Sequence, residues 1–493
     1  MSEVEQAAAT RRKASTYSEV FARMHFDQPM KSTRPTTVVG FLAFEHPVDS
    51  EHIEGVVAKL LRQFPRFRSR LVRTGNAVYF EEIELDQIDM SYHIQVHTDC
   101  ANWGQEQIDC FLSGLYNESK DVHRPMWRFH ILNHVKSNKH FLVPDIDHSV
   151  GDGTSLVSVL NAILDTPFGT HAEGTKLQKT WTPTEPSYAA AGPCCVTVCS
   201  VIEGLILAVL NPHLPQDPVH TLKRSGKTLS VVKRSAVTEG ADLAMVRNIK
   251  SKFPGCTIND VLTAVMGICL RRVYEEANDD KALTWRGVTA ALPVNCRPPG
   301  NHCLEMGNKI GSRVVRLGMQ HATRVDAVWR VMRQTTYFRL SPLCRIEQVL
   351  SAVAVKLLPS FLLIALIREM NFKATLVMSN VAGPPTKVHV GGREVKNMMF
   401  YGCGPVPLYV GFFTYDGQVT CGIVADGELP HPSRIARHWK KEIEGLWAEL
   451  ETMPPQLPPP SATIADWAYC LALLSCPAVL VMLLSAGLAL MWR

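Results

Sequence analysis

Residues 141–156 read Phe-Leu-Val-Pro-Asp-Ile-Asp-His-Ser-Val-Gly-Asp-Gly-Thr-Ser-Leu, and this stretch decides how the rest of the chain is interpreted. An apolar strand stops and is followed by His148 and, four positions later, by Asp152 between two glycines. Glycine reaches backbone angles that are closed to other residues, so Gly151 and Gly153 predict a tight turn of that kind. Imidazole is the natural proton acceptor near neutral pH. The pattern therefore indicates a site that presents a basic histidine.

A purely structural interpretation of the same residues stays open at this point. A loop aspartate often caps the helix that follows it, which here begins near Thr154, and a histidine at the end of a strand can be a hydrogen-bonded core residue. A His-x-x-x-Asp pattern is short enough to arise by accident. The rest of the chain has to decide between the two interpretations.

Length and composition indicate a folded protein of more than one domain. The chain has 493 residues, of which 46% are hydrophobic and 20% are charged, which excludes a disordered or collagen-like chain. One hydrophobic core rarely organises that many residues, so we expect two domains with accessory segments. The formal net charge of +5 is too mild and too scattered for a nucleic-acid groove, although it suits an anionic membrane surface.

The cysteines and the N-terminus indicate a reducing compartment. None of the fourteen cysteines belongs to paired Cys-x-x-Cys knuckles of the zinc type, so we expect no metal site. As a separate expectation, the protein uses no cofactor. The first residues are polar and lack the apolar core of a secretory signal. We therefore expect cytosolic, reduced thiols and no disulfides.

Hydrophobic patterning organises the first part of the chain. After a flexible tail over residues 1–16, the pattern predicts an N-terminal domain over residues 17–164, with a first strand over residues 38–44. Residues 126–132 and the strand that leads into His148 are separated by a hydrophilic turn. These two strands are predicted to form a hairpin that supports the histidine loop.

A boundary follows the first domain. Residues 165–193 are rich in Thr, Pro and Gly, which favour turns and extended chain, and residues 196–210 form a short apolar run that contains Glu203. We interpret residues 165–228 as a linker with an apolar crossover helix. The run is short for a bilayer span, so the helix either lies on a membrane or packs inside the protein.

The second domain is predicted over residues 229–453. A helix over residues 257–273 begins with Thr257 or Asn259 as its N-cap. Three predicted strands in this domain deliver polar side chains. These strands are residues 287–294, followed by Asn295 and Arg297, residues 307–315, which include Asn308, and residues 373–381, which end in Ser379 and Asn380.

Apolar segments in the last third of the chain point to lipid. The helix predicted over residues 353–367, interrupted by Pro359, belongs to the core, lines an apolar tunnel or contacts lipid. After a proline-rich spacer over residues 454–466, residues 467–492 form a run of 26 residues without a charged side chain, bracketed by tryptophans. We expect this run to be a transmembrane helix, a single C-terminal anchor for a cytosolic catalytic part.

Several short motifs, taken in order, resemble a known family. They are Pro125-Met126-Trp127, His148-Ser149-Val150-Gly151-Asp152-Gly153, Asn259-Asp260-Val261, Gly307-Asn308 and Ser379-Asn380-Val381-Ala382-Gly383-Pro384. Together they resemble the bifunctional wax ester synthase/acyl-CoA:diacylglycerol acyltransferase family, whose signature is His-His-x-x-x-Asp-Gly. The resemblance covers about residues 17–451 and argues against an accidental pattern at His148.

One signature position departs from the family. Asp147 stands where the signature has its first histidine, while His148 matches the second histidine, to which the family assigns the chemistry. A neighbouring carboxylate favours the protonated form of an imidazole. The departure therefore bears on acceptor preference and rate, and makes Asp147 an informative position.

The resemblance implies a mixed α/β fold of two domains that are similar to chloramphenicol acetyltransferase. They would surround a central tunnel with His148 at their junction, and the C-terminal transmembrane helix would be added to them. The implied activity is transfer of a fatty acyl group from acyl-CoA to a long-chain alcohol or to diacylglycerol. The implied location is the endoplasmic reticulum membrane with the catalytic part cytosolic, so the lipid bilayer is a further expected partner.

The chemistry assigns roles to the candidate residues. An alcohol is too weak an acid to attack a thioester unaided, so His148 is expected to remove its proton. Asp152 is expected to pair with a cation and hold the loop, and Arg297, just after a strand, is the hypothesised partner. Other residues are expected to support the site, either by stabilising the oxyanion or tunnel wall or in a structural role. They are Asp147, Gly151, Gly153, Asn308, Ser379 and Asn380.

Two other functions remain open. A membrane-anchored lipid-binding or scaffold protein on a degenerate acyltransferase fold would explain the departure at Asp147, although retention of both His148 and Asp152 argues against it. An acyltransferase that acts on a water-soluble acceptor would fit the same signature, but the predicted membrane span favours a lipid acceptor. Acyl chain length and oligomeric state have no signal in the sequence.

Overall fold

A computed structural model describes residues 11–27, 36–166, 217–224, 229–285, 287–297, 306–340, 343–404 and 406–456. Three predicted features lie outside these ranges: the linker over residues 167–216 with its crossover helix, the spacer beyond residue 456, and the transmembrane run over residues 467–492. Within the described ranges, no helix is both long and apolar enough to cross a bilayer.

The described chain contains strands and helices interspersed along its length. The strands are β1 (Arg11–Lys13), β2 (Thr37–Phe44), β3 (Ser69–Thr74), β4 (Ala77–Glu82), β5 (Ile94–His97), β6 (Trp127–Val135), β7 (Lys139–Asp147), β8 (Lys233–Val237), β9 (Ala241–Asp242), β10 (Val288–Asn295), β11 (Ile310–Leu317), β12 (Leu376–Ala382), β13 (His389–Val390), β14 (Arg393–Cys403), β15 (Leu408–Tyr415) and β16 (Gln418–Asp426). The α-helices are α1 (Thr16–Phe26), α2 (Ser50–Gln63), α3 (Met90–His93), α4 (Gln105–Asn117), α5 (Gly153–Ile163), α6 (Leu243–Ser251), α7 (Ile258–Glu276), α8 (Asp280–Thr284), α9 (Arg324–Leu340), α10 (Leu343–Leu357), α11 (Ser360–Lys373), α12 (Ser433–Ala436) and α13 (Trp439–Leu450). The predicted mixed α/β fold is confirmed.

The first sheet carries the histidine loop. Its strands lie in the order β13-β14-β2-β7-β6-β5, and neighbours are antiparallel except for the parallel pair of β5 and β6. Strands β6 and β7 form the predicted hairpin, with Trp127 opposite Ile146. Helices α2 and α5 pack on one face through a core that includes Leu60, and α4 packs in a separate core that includes Leu112. The hairpin thus ends at His148 on a rigid support.

The second sheet belongs to the later part of the chain. Its strands lie in the order β11-β10-β12-β15-β16-β8, and β9 pairs with β16. Helix α7 packs on this sheet through residues such as Val265, in a core shared with Trp439 of α13. The hydroxyl of Thr257 accepts a hydrogen bond from Asp260 N, and the Asp260 carboxylate accepts one from Thr257 N at 2.8 Å. Of the two predicted N-caps, Thr257 is therefore the one that begins the helix.

One strand crosses from the second part of the chain into the first sheet. Strand β14 pairs with β2, from Val395 opposite Phe44 to Cys403 opposite Thr37. The prediction of a contiguous second domain over residues 229–453 is wrong for β13 and β14. Without β14, the edge of β2 would expose unpaired backbone groups, and a later segment of the chain satisfies them. The crossover ties the two sheets together.

The N-terminal boundary also differs from the prediction. Strand β1 pairs with β4, with Arg11 opposite Glu81, and the Arg11 Nε to Glu81 Oε1 distance is 2.6 Å. Helix α1 begins at Thr16. The prediction of a flexible tail over residues 1–16 is therefore wrong for residues 11–16, because backbone pairing and an ion pair hold this segment against the small sheet formed by β1, β4 and β3.

The end of the predicted linker belongs to the second sheet. Asp217 accepts hydrogen bonds from the backbone N–H of Thr289 and from the hydroxyl of Thr375, each at 2.7 Å. Asp217 is itself buried. Residues 217–224 are thus anchored to the strands of the second sheet, and the prediction that the linker extends to residue 228 is wrong for them.

Gly422 provides a test of how closely the two sheets approach. It lies on β16, and an added Cβ would collide with the carbonyl oxygen of Phe400 on β14 and come within 3.0 Å of Tyr401 Cδ1. We predict that Gly422→Ala lowers the free energy of unfolding by about 1–3 kcal/mol, because a backbone atom has to move. Denaturant unfolding measures the change. As a control, Gly55→Ala in α2 adds a Cβ with nothing within 4 Å, and equal stability losses in both variants would contradict the prediction.

Candidate active site

The loop from His148 to Asp152 lies between β7 and α5, where several elements meet. The backbone N–H of His148 donates to Thr36 O at 2.9 Å, and the N–H of Asp147 donates to Met126 O at 2.9 Å. These bonds tie the loop to the strands on both sides of β7. Residues that precede β11 reach the loop from the second sheet, and α1 covers it from another side.

His148 is held by the side chain of Asn308. The His148 Nδ1 to Asn308 Oδ1 distance is 2.9 Å, and Asn308 Nδ2 donates to the carbonyl oxygen of His148 at 2.6 Å. A carbonyl can only accept, so this second bond fixes which end of the amide carries nitrogen. Asn308 Oδ1 must then accept from Nδ1–H of the imidazole. In the neutral imidazole of His148 the lone pair therefore lies on Nε2, which is the form that a general base requires.

Helix α1 completes the support of this histidine. The ring of Phe21 lies 4.5 Å from the imidazole, measured between centroids. Asn308 Nδ2 also donates to the hydroxyl of Ser18 at 2.9 Å, and the backbone N–H of Asn308 donates to the hydroxyl of Ser15 at 3.1 Å. The imidazole is thus fixed both at Nδ1 and across its face.

Asp152 has both of the roles considered from the sequence: it caps the following helix and it pairs with a cation. Its Oδ1 accepts from the backbone N–H of Ser155 at 3.0 Å, which caps α5. Its Oδ2 accepts from Arg297 Nη1 at 2.8 Å and from the backbone N–H of Lys309 at 2.9 Å. The side chains of Asp152 and Arg297 are only 3% and 9% exposed. The structure brings together the pair that the sequence suggested.

Arg297 extends this contact into a network that joins the two sheets. Its Nη2 donates to the hydroxyl of Ser155 at 2.9 Å and to the carbonyl oxygen of Gly307 at 2.8 Å. Gly307 has a φ of +144°, in a region that favours glycine. The backbone of Gly307 therefore turns toward α5 and places the next residue, Asn308, at the histidine.

The two loop glycines have a different function from the one predicted. Neither Gly151 nor Gly153 is among the described glycines with a positive φ. A Cβ on Gly151 would instead lie 2.8 Å from Ser155 Cβ, and a Cβ on Gly153 would lie 2.9 Å from Val381 Cγ2. The prediction of unusual backbone angles is wrong here, because the loop needs glycine for close approach of α5 and β12.

Asp147 is directed to a histidine on α1. Its Oδ2 lies 2.7 Å from His25 Nε2, and its Oδ1 accepts from the backbone N–H of Ser149 at 2.8 Å. Burial raises the pKa of Asp147, but the charge and hydrogen bond of His25, the charge of Lys120 and the bond from Ser149 outweigh it and hold the pKa below its usual range. Both oxygens of this carboxylate are therefore engaged away from the imidazole of His148.

The other candidate residues have different relations to the loop. Ser379 and Asn380 lie on β12, opposite Gly411 and Phe412 of β15. Over the described hydrogen bonds, neither side chain is joined to His148. Their predicted oxyanion role stays a prediction. Over the described residues, no group of three or more His, Cys, Asp or Glu side chains is arranged to hold a metal ion.

Some supporting residues have no counterpart in the sequence prediction. Arg66 Nη1 donates to the carbonyl oxygens of Ser149 and Val150 at 3.4 and 3.2 Å, and its guanidinium lies 4.2 Å from the Phe80 ring centroid. On α1, the spacing of Ser18, Phe21 and His25 places them on one helix face. That spacing is a detectable signal, but the partners of these side chains lie far away in sequence.

Comparison with known proteins settles the family. The model of the wax ester synthase/diacylglycerol acyltransferase catalytic domain matches residues 2–262, and the WS/DGAT C-terminal domain model matches residues 306–446. The chain belongs to the wax ester synthase/diacylglycerol acyltransferase family. The resemblance that the ordered motifs indicated is therefore confirmed, and family membership places the His148 loop in the catalytic domain.

Relatives of this family span most of the chain. Wax ester synthase/diacylglycerol acyltransferase 4 of Arabidopsis thaliana is 24% identical over 475 residues, which cover 86% of this chain and 88% of the relative. A putative diacylglycerol O-acyltransferase of Mycobacterium tuberculosis is 23% identical over 423 residues, 78% of this chain and 87% of its own.

Solved structures share the fold. Wax ester synthase/diacylglycerol acyltransferase from Marinobacter aquaeolei VT8 has a TM-score of 0.55 at 18% identity, over 89% of this chain and 99% of its own. The starter condensation domain of rhizomide synthetase in complex with C8-CoA has a TM-score of 0.54 at 12% identity, over 90% of this chain and 96% of its own. The mixed α/β architecture is thus common to the family and to condensation domains.

The pairing of Asp152 with Arg297 can be measured by a double-mutant cycle. We predict a coupling of about 2 kcal/mol in unfolding free energy between Asp152→Asn and Arg297→Gln, because both side chains are buried and each single variant leaves its partner unpaired. The cycle of Arg224→Gln and Glu428→Gln, an ion pair with side chains 58% and 55% exposed, is the control and should give a coupling near zero. Additive effects at Asp152 and Arg297 would show that their contact does not stabilise the loop.

Proposed function

We infer that the protein is an acyl-CoA-dependent O-acyltransferase that makes wax esters, triacylglycerol or both. One observation carries the assignment of the base: the hydrogen bond from His148 Nδ1–H to Asn308 Oδ1, at 2.9 Å, which leaves the lone pair on Nε2. Membership of the wax ester synthase/diacylglycerol acyltransferase family supplies the substrate class. Acyl-CoA is the proposed donor, and a long-chain alcohol or diacylglycerol is the proposed acceptor.

The reaction needs one base that works in both directions. His148 Nε2 removes the proton from the acceptor hydroxyl as the oxygen attacks the thioester carbonyl. The new carbon–oxygen bond forms, the carbon–sulfur bond breaks, and the imidazolium returns the proton to the departing CoA thiolate. All atoms and charges balance with these two substrates alone. We therefore propose that no cofactor takes part, and that acyl-CoA acts only as a substrate.

The residues around His148 support this reaction by position. Asn308 and Phe21 fix the imidazole, which lowers the cost of bringing Nε2 to the hydroxyl. Asp152 and Arg297 hold the loop between the two sheets and take no part in proton transfer. We propose that the substrates reach His148 through a central tunnel between two chloramphenicol-acetyltransferase-like domains. Ser379 and Asn380, at the end of β12, are the proposed polar wall of that tunnel.

A degenerate scaffold is the less favoured function. The scaffold hypothesis was motivated by Asp147, which occupies the position of the first histidine of the family signature. At the loop, Asp147 is itself paired, and the side chains of His148 and Asp152 each have hydrogen-bond partners. A buried polar network holds its members in one fixed arrangement when they are satisfied. This argues for a working base rather than a relic.

A lipid bilayer is the proposed surface on which the enzyme works. The uncharged run over residues 467–492 supports a membrane anchor, and we propose the endoplasmic reticulum membrane with the catalytic part in the cytosol. An exposed apolar corner supports the same partner. Its large side chains, which are 45–74% exposed, are Val349, Val353, Leu357, Phe361 and Leu362.

The apolar corner is formed by α10 and the start of α11, which meet at Pro359. Val349, Val353 and Leu357 are spaced by four residues and so lie on one helix face. The opposite side of these helices packs on α1 through Val355 and Leu363. Exposed patches of this kind mark interaction surfaces. Since α1 also carries Phe21, the corner lies one helix away from the imidazole, which suits entry of an apolar substrate from a bilayer.

We predict that His148→Ala abolishes acyl transfer while the protein remains folded. The test is expression in cells that lack neutral-lipid synthesis, with fatty alcohol supplied or withheld, followed by lipid extraction. Loss of the base should lower wax ester or triacylglycerol by about 100-fold or more. His123→Ala replaces an exposed histidine and serves as the control. If His148→Ala cells contain the same lipids as wild-type cells, the catalytic assignment fails.

We predict that Leu357→Glu with Phe361→Glu slows transfer to an acceptor held in phosphatidylcholine vesicles by about 10-fold, because charged side chains oppose insertion at the corner. Transfer to a short, water-soluble alcohol should remain unchanged. In the wild type, hydrogen exchange of residues 349–362 should slow when vesicles are added. Leu85→Glu is the control, because this side chain is also exposed (46%) but lies outside the apolar corner. Equal loss with both acceptors, or unchanged exchange, would argue against contact with the bilayer.

A further inference from the structure

We propose that His25 is a positioning residue for the reaction, paired with Asp147 so that α1 is locked against the His148 loop. The proposal rests on the acyltransferase function of this loop and adds a residue to it. In this pair, α1 supplies from position 25 the imidazole that the first signature position lacks. The departure at Asp147 then places a carboxylate where it pairs with an imidazole of α1.

The contact itself is short and buried. His25 Nε2 lies 2.7 Å from Asp147 Oδ2, and each side chain is only 1% exposed. The other ring nitrogen of His25 lies 3.1 Å from the hydroxyl of Ser119, and the other carboxylate oxygen of Asp147 accepts the backbone N–H of Ser149. Every polar atom of the two side chains therefore has a partner. Removal of either side chain would leave buried polar groups unpaired.

The position of His25 on α1 explains why this pair matters for His148. Ser18, Phe21 and His25 follow one another at three and four residues, so they lie on one face of the helix. Ser18 holds Asn308, Phe21 covers the imidazole of His148, and His25 holds Asp147. All three contacts reach residues on or beside the histidine loop. A shift of α1 would therefore move both supports of the base at once.

Asp147, one member of the pair, is also part of the turn that carries His148. Asp147 precedes His148, and its side chain and carbonyl oxygen accept the N–H groups of Ser149 and Val150 at 2.8 and 3.0 Å. The carboxylate that binds His25 is thus the one that closes the turn after the base. Anchoring Asp147 to α1 fixes the direction in which the next residue, His148, leaves the strand. A misplacement of about 1 Å at a reacting group can cost about 100-fold in rate.

The inference is tested first by substitution of His25 in the full-length protein. His25→Leu should lower kcat by about 10- to 100-fold, with the KM for acyl-CoA changed by less than about twofold, at a temperature where thermal unfolding shows that the variant is folded. His25→Gln keeps an N–H donor toward Asp147 and should retain most of the wild-type kcat. A folded His25→Leu variant with the wild-type kcat would overturn the proposal.

Exchange of the two side chains gives the sharper test. His25→Asp alone places two carboxylates together in a buried site, and Asp147→His alone removes the anionic acceptor, so both should lose activity. The double variant H25D/D147H restores one imidazole and one carboxylate. Its kcat should exceed that of each single variant by about 10-fold or more. If the double variant is no more active than the singles, the pair does not have the proposed role.

A readout that does not need catalysis separates this proposal from the proposed function. Hydrogen exchange of residues 145–152 should be faster in His25→Leu than in wild type, since Ser149 N–H loses a fixed acceptor. His130→Gln is the matched control, because His130 is a buried histidine of the same sheet, bonded to His97 on β5 at 3.0 Å. Unchanged exchange over residues 145–152 would overturn the positioning role, even if no acyl transfer were detected.

Discussion

The buried ion pair between Asp152 and Arg297 is the contact on which the rest of the site depends. Asp152 caps α5 in the first part of the chain and also binds the backbone N–H of Lys309, next to Asn308. The position of Asn308 at the histidine is therefore set by the same carboxylate that holds the loop. A buried charge pair is weak as a source of stability, because both charges are desolvated. Its role here is geometric, because it fixes the position of the two sheets and of the His148 imidazole relative to one another.

Helix α1 is the second support, and it connects the base to the surface. One face of the helix contacts the histidine loop through Phe21 and His25, and another packs under α10 and α11 through Val20 and Met24. The same helix therefore lies between the proposed lipid surface and the proposed base.

Local sequence patterns predicted the parts of the site that lie within one segment. The hairpin, the loop from His148 to Asp152 and the cap of α7 all follow from spacing and capping rules. Arg297 was identified as a partner because it follows a strand directly. Family motifs in order, rather than any single pattern, argued against an accidental His-x-x-x-Asp at His148. The mixed α/β fold was predicted for the same reason.

Contacts between distant segments were not predictable in this way. The hydrophobic pattern of β14 does not predict that it pairs with β2, because a strand can pair with any exposed sheet edge. His25 is one of many histidines, and only the fold places it beside Asp147. Gly151 and Gly153 were recognised as special for a reason that proved wrong, since crowding by Ser155 and Val381 became visible only in three dimensions. The proposed base was therefore predictable from the sequence, while the residues that support it became visible only in the tertiary structure.

If His148 is the base, the acceptor hydroxyl must bind within hydrogen-bonding distance of its Nε2, and a structure with both substrates bound tests this. The direct measurement is a crystal structure with a non-hydrolysable acyl-CoA analogue and a long-chain alcohol bound together. The acceptor hydroxyl should lie within about 2.6–3.2 Å of His148 Nε2 and close to the thioester carbon. Nδ1 should remain bonded to Asn308. A hydroxyl bound out of reach of Nε2, or placed against a different basic side chain, would contradict the assignment.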